Sequence, residues 1–128
     1  MPDSITEVLM ELSRRLLAAI DRQDWPHYAA LCDPSLTAFE PEASGHLIEG
    51  MGFHRFYFDM ESNGRTVQSN IASPHVRVCN DTAVVSYVRL VQSVQADGDP
   101  VTASFDETRV WQRQNGEWKH VHFHRSPA

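Results

Sequence analysis

Lysine is almost missing from this sequence: Lys119 stands alone against ten arginines. A planar guanidinium pairs bidentately with carboxylate or phosphate where an ammonium cannot, so the imbalance points to arginines in structured places. Cysteine is as scarce. Cys32 and Cys79 each sit in an apolar stretch without CxxC spacing, which excludes a disulfide scaffold and reads as two reduced, buried thiols. Long apolar runs are missing too. Leu16 to Ile20 is the longest purely aliphatic one, far short of the ~20 residues a bilayer-spanning helix needs. The N-terminus carries Asp3 and Glu7 where a secretory leader would be basic and then apolar, so no signal peptide is expected and the expected location is cytoplasmic. Catalytic signatures are missing in turn. There is no glycine-rich phosphate loop, VAIK lysine, HRD or DFG, and His54-Arg55-Phe56 lacks the aspartate of a kinase catalytic loop. No GxSxG or HExxH occurs, so no catalytic residue, metal or other cofactor is expected.

What is present is an ordinary globular composition. The chain has 128 residues, 41% hydrophobic and 22% charged, with a formal net charge of -6. That length suits one domain over residues 1–128. The acidic balance repels phosphate backbones and anionic lipid, so nucleic acid and membrane surfaces are not expected partners.

The first half reads as helical and the second as strands, which predicts an α+β domain with helices on one face of an antiparallel sheet. Ser4-Ile5-Thr6-Glu7 forms a capping box, and Ile5, Val8, Leu9, Leu12, Leu16, Ala19 and Ile20 follow as one helical stripe. A second helix restarts at Trp25-Pro26. Asp33-Pro34 predicts a turn, Leu36 to Glu40 a short strand, and Gly45 to Gly50 a brief hairpin arm. A third helix is expected over 51–60, with Phe53, Phe56, Tyr57 and Met60 on one stripe and glycines at its start allowing close packing. Period-two patterning then predicts strands at about 66–79, 82–95, 101–114 and 117–126. Their turns are Asn80-Asp81, Asp97-Gly98-Asp99 and Asn115-Gly116, the last a strong hairpin signal. Pro74 marks its strand as an edge or as bulged.

Three arginines fall inside strands. Arg89 shares a face with Val85, Tyr87 and Val91; Arg109 with Glu107 and Trp111; Arg125 with Val121 and Phe123. An unpaired charge on an inward face costs several kcal/mol, so either internal carboxylates such as Glu40, Glu42 or Glu107 pair with them, or an anionic ligand does. His120, His122 and His124 alternate, which places them on one side of the last strand together with Trp118. Three imidazoles in a row could chelate zinc or copper, but a spacing of ~7 Å is long for one metal without help, and a packed interface is the reading they favour. Trp118 on that outer side would stay exposed unless a second copy of the chain covered it. His54 either lines a pocket or satisfies a core hydrogen bond. An isomerase- or cyclase-type enzyme is the alternative function; Tyr87, His54 and Glu40 are its only plausible acid–base groups.

The stretches from Cys32 to Ala43 and from Glu49 to Phe58, with Glu107-Thr108-Arg109-Val110-Trp111 and Val121-His122-Phe123-His124-Arg125-Ser126, resemble the association (hub) domain of calcium/calmodulin-dependent protein kinase II. Order and intervals agree from about Ile5 to Ser126. The resemblance implies a nuclear-transport-factor-2-like (NTF2-like), also SnoaL-like, cone in which helices are cupped by a strongly curved antiparallel sheet. It implies a homo-oligomer, either a dimer or a ring of dimers, and a pocket for small carboxylates of the hydroxybutyrate type. The family's pocket histidine and arginines fall by motif on His54, Arg89, Arg109 and Arg125, and Tyr87, Glu107 and Phe123 are further pocket candidates. The kinase domain and calmodulin-binding segment are missing, and Met1 just before the capping box suggests a free-standing protein. Gly52 and Phe105 replace an acidic and a small polar residue of the family. The Glu61 to Arg65 loop is shorter and lacks a tryptophan found in one family branch.

Overall fold

Ser4 opens the first helix as the sequence predicts: its side chain accepts from the Glu7 backbone N–H at 3.1 Å, satisfying one free donor of the first turn. In the computed structural model, which describes residues 4–61 and 66–128, this helix is α1 (Ile5–Asp21). Most of the loop expected to be short, residues 62–65, lies outside the described residues. The apolar stripe of α1 buries Leu9, Leu16, Leu17 and Ala19 against β3 (Val67–Cys79), β4 (Thr82–Val94) and helix α2 (Trp25–Leu31). Asp24 caps α2, and Pro26 sits in its first turn, where the missing N–H is harmless.

Strand β1 (Cys32–Phe39), a 3₁₀ turn (Pro41–Ala43), β2 (Ile48–Glu49) and α3 (Gly52–Phe58) lead into the strand half, which adds β5 (Pro100–Gln114) and β6 (Glu117–Pro127). One six-stranded sheet results, in the order β2-β1-β6-β5-β4-β3. The four long strands form the expected antiparallel meander. Its tight turns place Asn80, Asn115, Gly98 and Gly116 at positive φ. Strand β3 is both an edge and irregular between Ala72 and His75, beside Pro74. β1 adds to the meander in parallel with β6, a pairing that no local pattern announces.

Several expectations are corrected. Asp33-Pro34 does not end in a turn. It lies within β1, where the pairing with β6 shifts between Cys32 and Thr37, and Asp33 caps the local backbone at Ser35. Strand β6 does not alternate throughout. His120 pairs with Trp111 and His122 with Val110, so Val121 is an extra, bulged residue. The bulge puts His120 on the inner face with Phe123 and leaves His122 and His124 on the other. The three histidines therefore do not share a side. Trp118 packs against the core from the inner face, so it makes no demand for a covering neighbour. Of the two thiols, Cys32 is buried and Cys79 exposed, because Cys79 ends an edge strand. On α3 the buried residue is His54, with Phe58 packed on the core one turn later. Phe56 and Met60 of the expected stripe face outward, while Tyr57 is partly exposed and lines a cavity between the helices and the sheet. A Cβ at Gly52 would meet nothing within 4 Å, so close packing does not explain that glycine.

Candidate functional site

The inner face of the meander holds the polar groups that strand parity singles out. Register places Tyr87 opposite Glu107 and Glu107 opposite Arg125. One step along, Val85, Arg109 and Phe123 form the next row. Neighbouring side chains in such rows touch across ~5 Å. Here they build a buried network. Arg109 gives 2.9 Å to Glu107 Oε1 from one terminal nitrogen and 2.8 Å to the Tyr87 hydroxyl from Nε. Tyr87 donates to Glu107 Oε1 at 2.6 Å. Arg89 donates to Glu107 Oε2 at 3.3 Å and to Asp21 Oδ1, at the end of α1, at 2.8 Å. Arg125 is paired with Glu42 of the 3₁₀ turn.

Each flagged arginine thus already has an internal carboxylate, as one of the two open readings supposed. Glu42 and Glu107 were among the partners named; Asp21 was not. Its sequence signal was present, since it lies four residues after buried Leu17 on the apolar stripe of α1.

The pairing does not close the site. A cavity of about 240 Å³ lies between the helices and the sheet, lined by Glu40, Glu42, His54, Arg89, Arg109, Phe123 and Arg125, with Tyr28 among its aromatic walls. His54, Arg89, Arg109, Arg125 and Phe123 therefore share one chamber, whereas Tyr87 and Glu107 stand behind it and hold the arginines. Arg109 lies over the Phe123 ring at 4.5 Å. Two wall groups lack close partners. His54 Nε2 is buried with no hydrogen bond, and the Glu40 carboxylate, only 7% exposed, approaches His54 Nδ1 no closer than 3.7 Å. Tyr87 thus falls away from the acid–base trio, while Glu40 and His54 meet.

Burial and charge set the protonation of these groups. Desolvation pushes Glu40 up to about 7, with Glu42 adding to the rise and Arg125 and Arg109 opposing it. Desolvation and then Arg109 bring His54 down to about 4. Burial would raise Glu107, but Arg109 and Arg89 outweigh it and hold its carboxyl below the usual range. His120 is driven down by burial and Arg109, so it faces the guanidinium as a neutral ring, 3.4 Å from it. Burial keeps the Cys32 thiol protonated, up to about 12, which makes it a poor nucleophile.

The comparisons with known proteins agree with this architecture. Residues 6–128 match the family described as the calcium/calmodulin dependent protein kinase II association domain. The chain is 46% identical over 121 residues to the delta subunit of that kinase from Oryctolagus cuniculus, a match covering 92% of this chain and 23% of the subunit. It is similar to the hub homology domain of Chlamydomonas reinhardtii, with a TM-score of 0.92, 47% identity, and 98% and 99% of the two chains covered. It also resembles the C. elegans association domain, at 0.89 and 42%, with 94% of each chain covered. An NTF2-like protein from Cytophaga hutchinsonii, at 0.80 and 20% identity, shares the fold over 98% of this chain and all of its own. With a sheet, helix order and sequence that all coincide, this chain belongs to the calcium/calmodulin-dependent protein kinase II association domain family and has the NTF2-like fold.

Proposed function

We propose that residues 1–128 form one association domain that assembles with copies of itself and binds a small carboxylate in the chamber of His54, Arg89, Arg109 and Arg125. The observation that carries the assembly is the full-length likeness, at 47% identity, to a domain described as a hub. Exposed apolar groups on and just after α3, Phe56 at 65% and Met60 at 54%, are available for such a contact. The role is structural. The chain matches 23% of the kinase subunit's length and its sequence contains none of the phosphoryl-transfer motifs, so its contribution is gathering subunits, in the cytoplasm. Light scattering or native mass spectrometry over a dilution series is expected to give a multi-subunit mass. A monomer at every concentration removes the hub reading.

For the ligand, the carrying observation is that three guanidiniums line one chamber together with His54, whose buried Nε2 has no hydrogen-bond partner. Butyrate should bind, and butyramide, of the same shape but uncharged, should not. Arg125→Gln, at the mouth of the chamber, is expected to weaken butyrate at least tenfold, the loss of one charge-assisted contact. Equal binding of butyrate and butyramide would overturn the carboxylate assignment.

A second reading rests on Glu40 alone. A carboxyl brought to about 7 inside a partly apolar chamber is matched to general-base work at neutral pH, and isomerase- or cyclase-type proton transfer is the reaction it suits. Turnover of a ketosteroid or small polyketide that is lost in Glu40→Gln would favour this reading. No turnover across such a panel removes it.

A further inference from the structure

The chamber is rich in arginine yet carries no excess of positive charge. Its guanidiniums number three, Arg89, Arg109 and Arg125. Four carboxylates face or back them: Asp21 and Glu107 behind, Glu42 on Arg125, and Glu40 in the wall. Three against four leaves a formal charge of -1 before any ligand arrives. An incoming carboxylate would make that -2 against the buried side chains of Glu40, Arg89, Arg109 and Glu107, where like charges repel more strongly than in water. Some group has to give up negative charge when the anion enters.

The geometry selects which one. Asp21 and Glu107 are locked by short bonds from arginines. Glu42 is held by Arg125 and is exposed. Glu40 has no guanidinium of its own. Its carboxylate is nearly inaccessible and its one ionisable contact within 4 Å among the described residues is His54 Nδ1 at 3.7 Å. The groups facing it come from every element around the chamber. They are Tyr28 on α2, Glu42 on the 3₁₀ turn, His54 and Tyr57 on α3, Arg89 on β4, Arg109 and Glu107 on β5, and Arg125 on β6, with Asp21 at the end of α1. Among these, Glu40 is the one carboxylate whose charge is not already matched by a bonded arginine.

We infer that this pocket takes its carboxylate ligand together with a proton, and that Glu40 is where the proton resides. This rests on the carboxylate-pocket reading above. The proton restores the wall to neutrality, so the ligand's own charge becomes the fourth partner of the three arginines. It also converts Glu40 from a repelling acceptor into an O–H donor that can hydrogen-bond to the ligand. Burial and Glu42 bring the Glu40 titration to about 7 in the empty pocket, so the required proton is available near neutral pH. A bound anion at roughly 5 Å raises that titration further, by on the order of 1–2 pKa units.

The test is calorimetric titration of the full chain with butyrate, which stays ionised throughout the range used. Between about pH 8.5 and about pH 6.5, affinity should rise on the order of tenfold or more. At about pH 8, parallel runs in buffers of different ionisation enthalpy should report uptake of up to about one proton per butyrate. Glu40→Gln, which keeps the shape and removes the titration, should bind with an affinity close to that of the wild type at low pH, with no slope and no proton uptake. Wild-type binding that ignores pH, or a slope that persists in Glu40→Gln, overturns the inference while leaving the pocket in place. No binding of butyrate by the wild type at any pH overturns the pocket reading and this inference with it. Should Glu40→Gln fold poorly, proton uptake by the wild type decides alone.

Discussion

Arg109 is 1% exposed and its charge is fixed by Glu107, Tyr87 and a face-on contact with Phe123. Burial opposes that charge, but Glu107 and the tyrosines outweigh it and its pKa is raised. A ligand cannot be its first partner, so removing it does more than empty a pocket. Arg109→Ala removes the closer of the two guanidiniums on the buried Glu107 carboxylate and leaves it Arg89 and Tyr87, and loss of one partner of a buried pair costs about 3–5 kcal/mol. Thermal unfolding is expected to fall by roughly 10 °C or more. Arg125, by contrast, sits at the mouth, and Arg125→Gln should shift stability by less than about 1 kcal/mol. Equal melts for the two variants would show that the Glu107 network is not holding the sheet. Glu40 makes a separate prediction from its titration near 7. Its folded pKa lies above the unfolded value of 4.5, so the stability it contributes is present below about 4.5 and is lost as pH rises to about 7. His54, lowered from 6.5 to about 4, acts oppositely, so its stability grows from about 4 to 6.5. Between 4.5 and 6.5 the folded and unfolded pairs each hold about one proton, and this pair makes stability nearly flat. Above that window the buried Glu40 carboxylate is a net cost. Glu40→Gln should therefore stabilise the protein more at pH 8 than at pH 5.5, by a difference on the order of 2 kcal/mol. Melts of the two proteins at both pH values check it; an equal difference at both would show that Glu40 does not titrate in this range.

At the level of elements, strand parity explains why so much of the site could be read from sequence. Val85, Tyr87 and Arg89, like Glu107, Arg109 and Trp111, obey an unbroken period of two, and all six face the core. Parity fails where an element departs from its ideal repeat. The Val121 bulge reverses the alternation after His120, so parity fails for Trp118 and His120, which face inward, and holds for His122, Phe123, His124 and Arg125. Helix α3 fails differently. Its stripe is apolar, yet the short helix turns His54 inward to meet Glu40 and shows Phe56 to solvent. Which face is buried depends on partners distant in sequence. The same holds for the parallel β1–β6 pairing and for Asp21 with Arg89, 68 residues apart. The bulge itself makes an unusual prediction. Deleting one residue inside a strand ordinarily turns every later side chain to the other face. Deleting Val121 removes the extra residue instead. His120 still pairs with Trp111, His122 with Val110 and Phe123 with Arg109. That variant should fold and keep butyrate within about threefold of wild type. Deleting His124 turns Arg125 away from the chamber and should abolish binding. If the two deletions behave alike, Val121 is not the register-bearing residue.

For the whole molecule, charge and apolar surface pull in opposite directions. Each subunit carries a formal -6, so copies repel at long range and more so in dilute salt. At about 0.01 M salt the screening length is ~30 Å, comparable to a small domain; near 0.15 M it is ~8 Å. The proposed assembly must then be driven by short-range burial of apolar groups. On α3 the exposed Phe56 ring touches Tyr57, with Met60 exposed just after the helix, and Phe39 lies exposed beside His122 and His124 on the outer sheet face. A contact built on such groups strengthens as salt screens the repulsion, whereas one built on inter-subunit ion pairs weakens. The expected result is that the concentration at which the assembly dissociates falls as salt rises from 0.01 to about 0.15 M. Phe56→Asp, which adds a further negative charge within the α3 patch, should raise that concentration at least tenfold and leave the subunit's melting temperature nearly unchanged, because Phe56 contributes little to its own core. If salt instead dissociates the complex, ion pairs hold it. If Phe56→Asp assembles like the wild type, the subunits meet through the outer sheet face around Phe39, and the α3 aromatics are free for another partner.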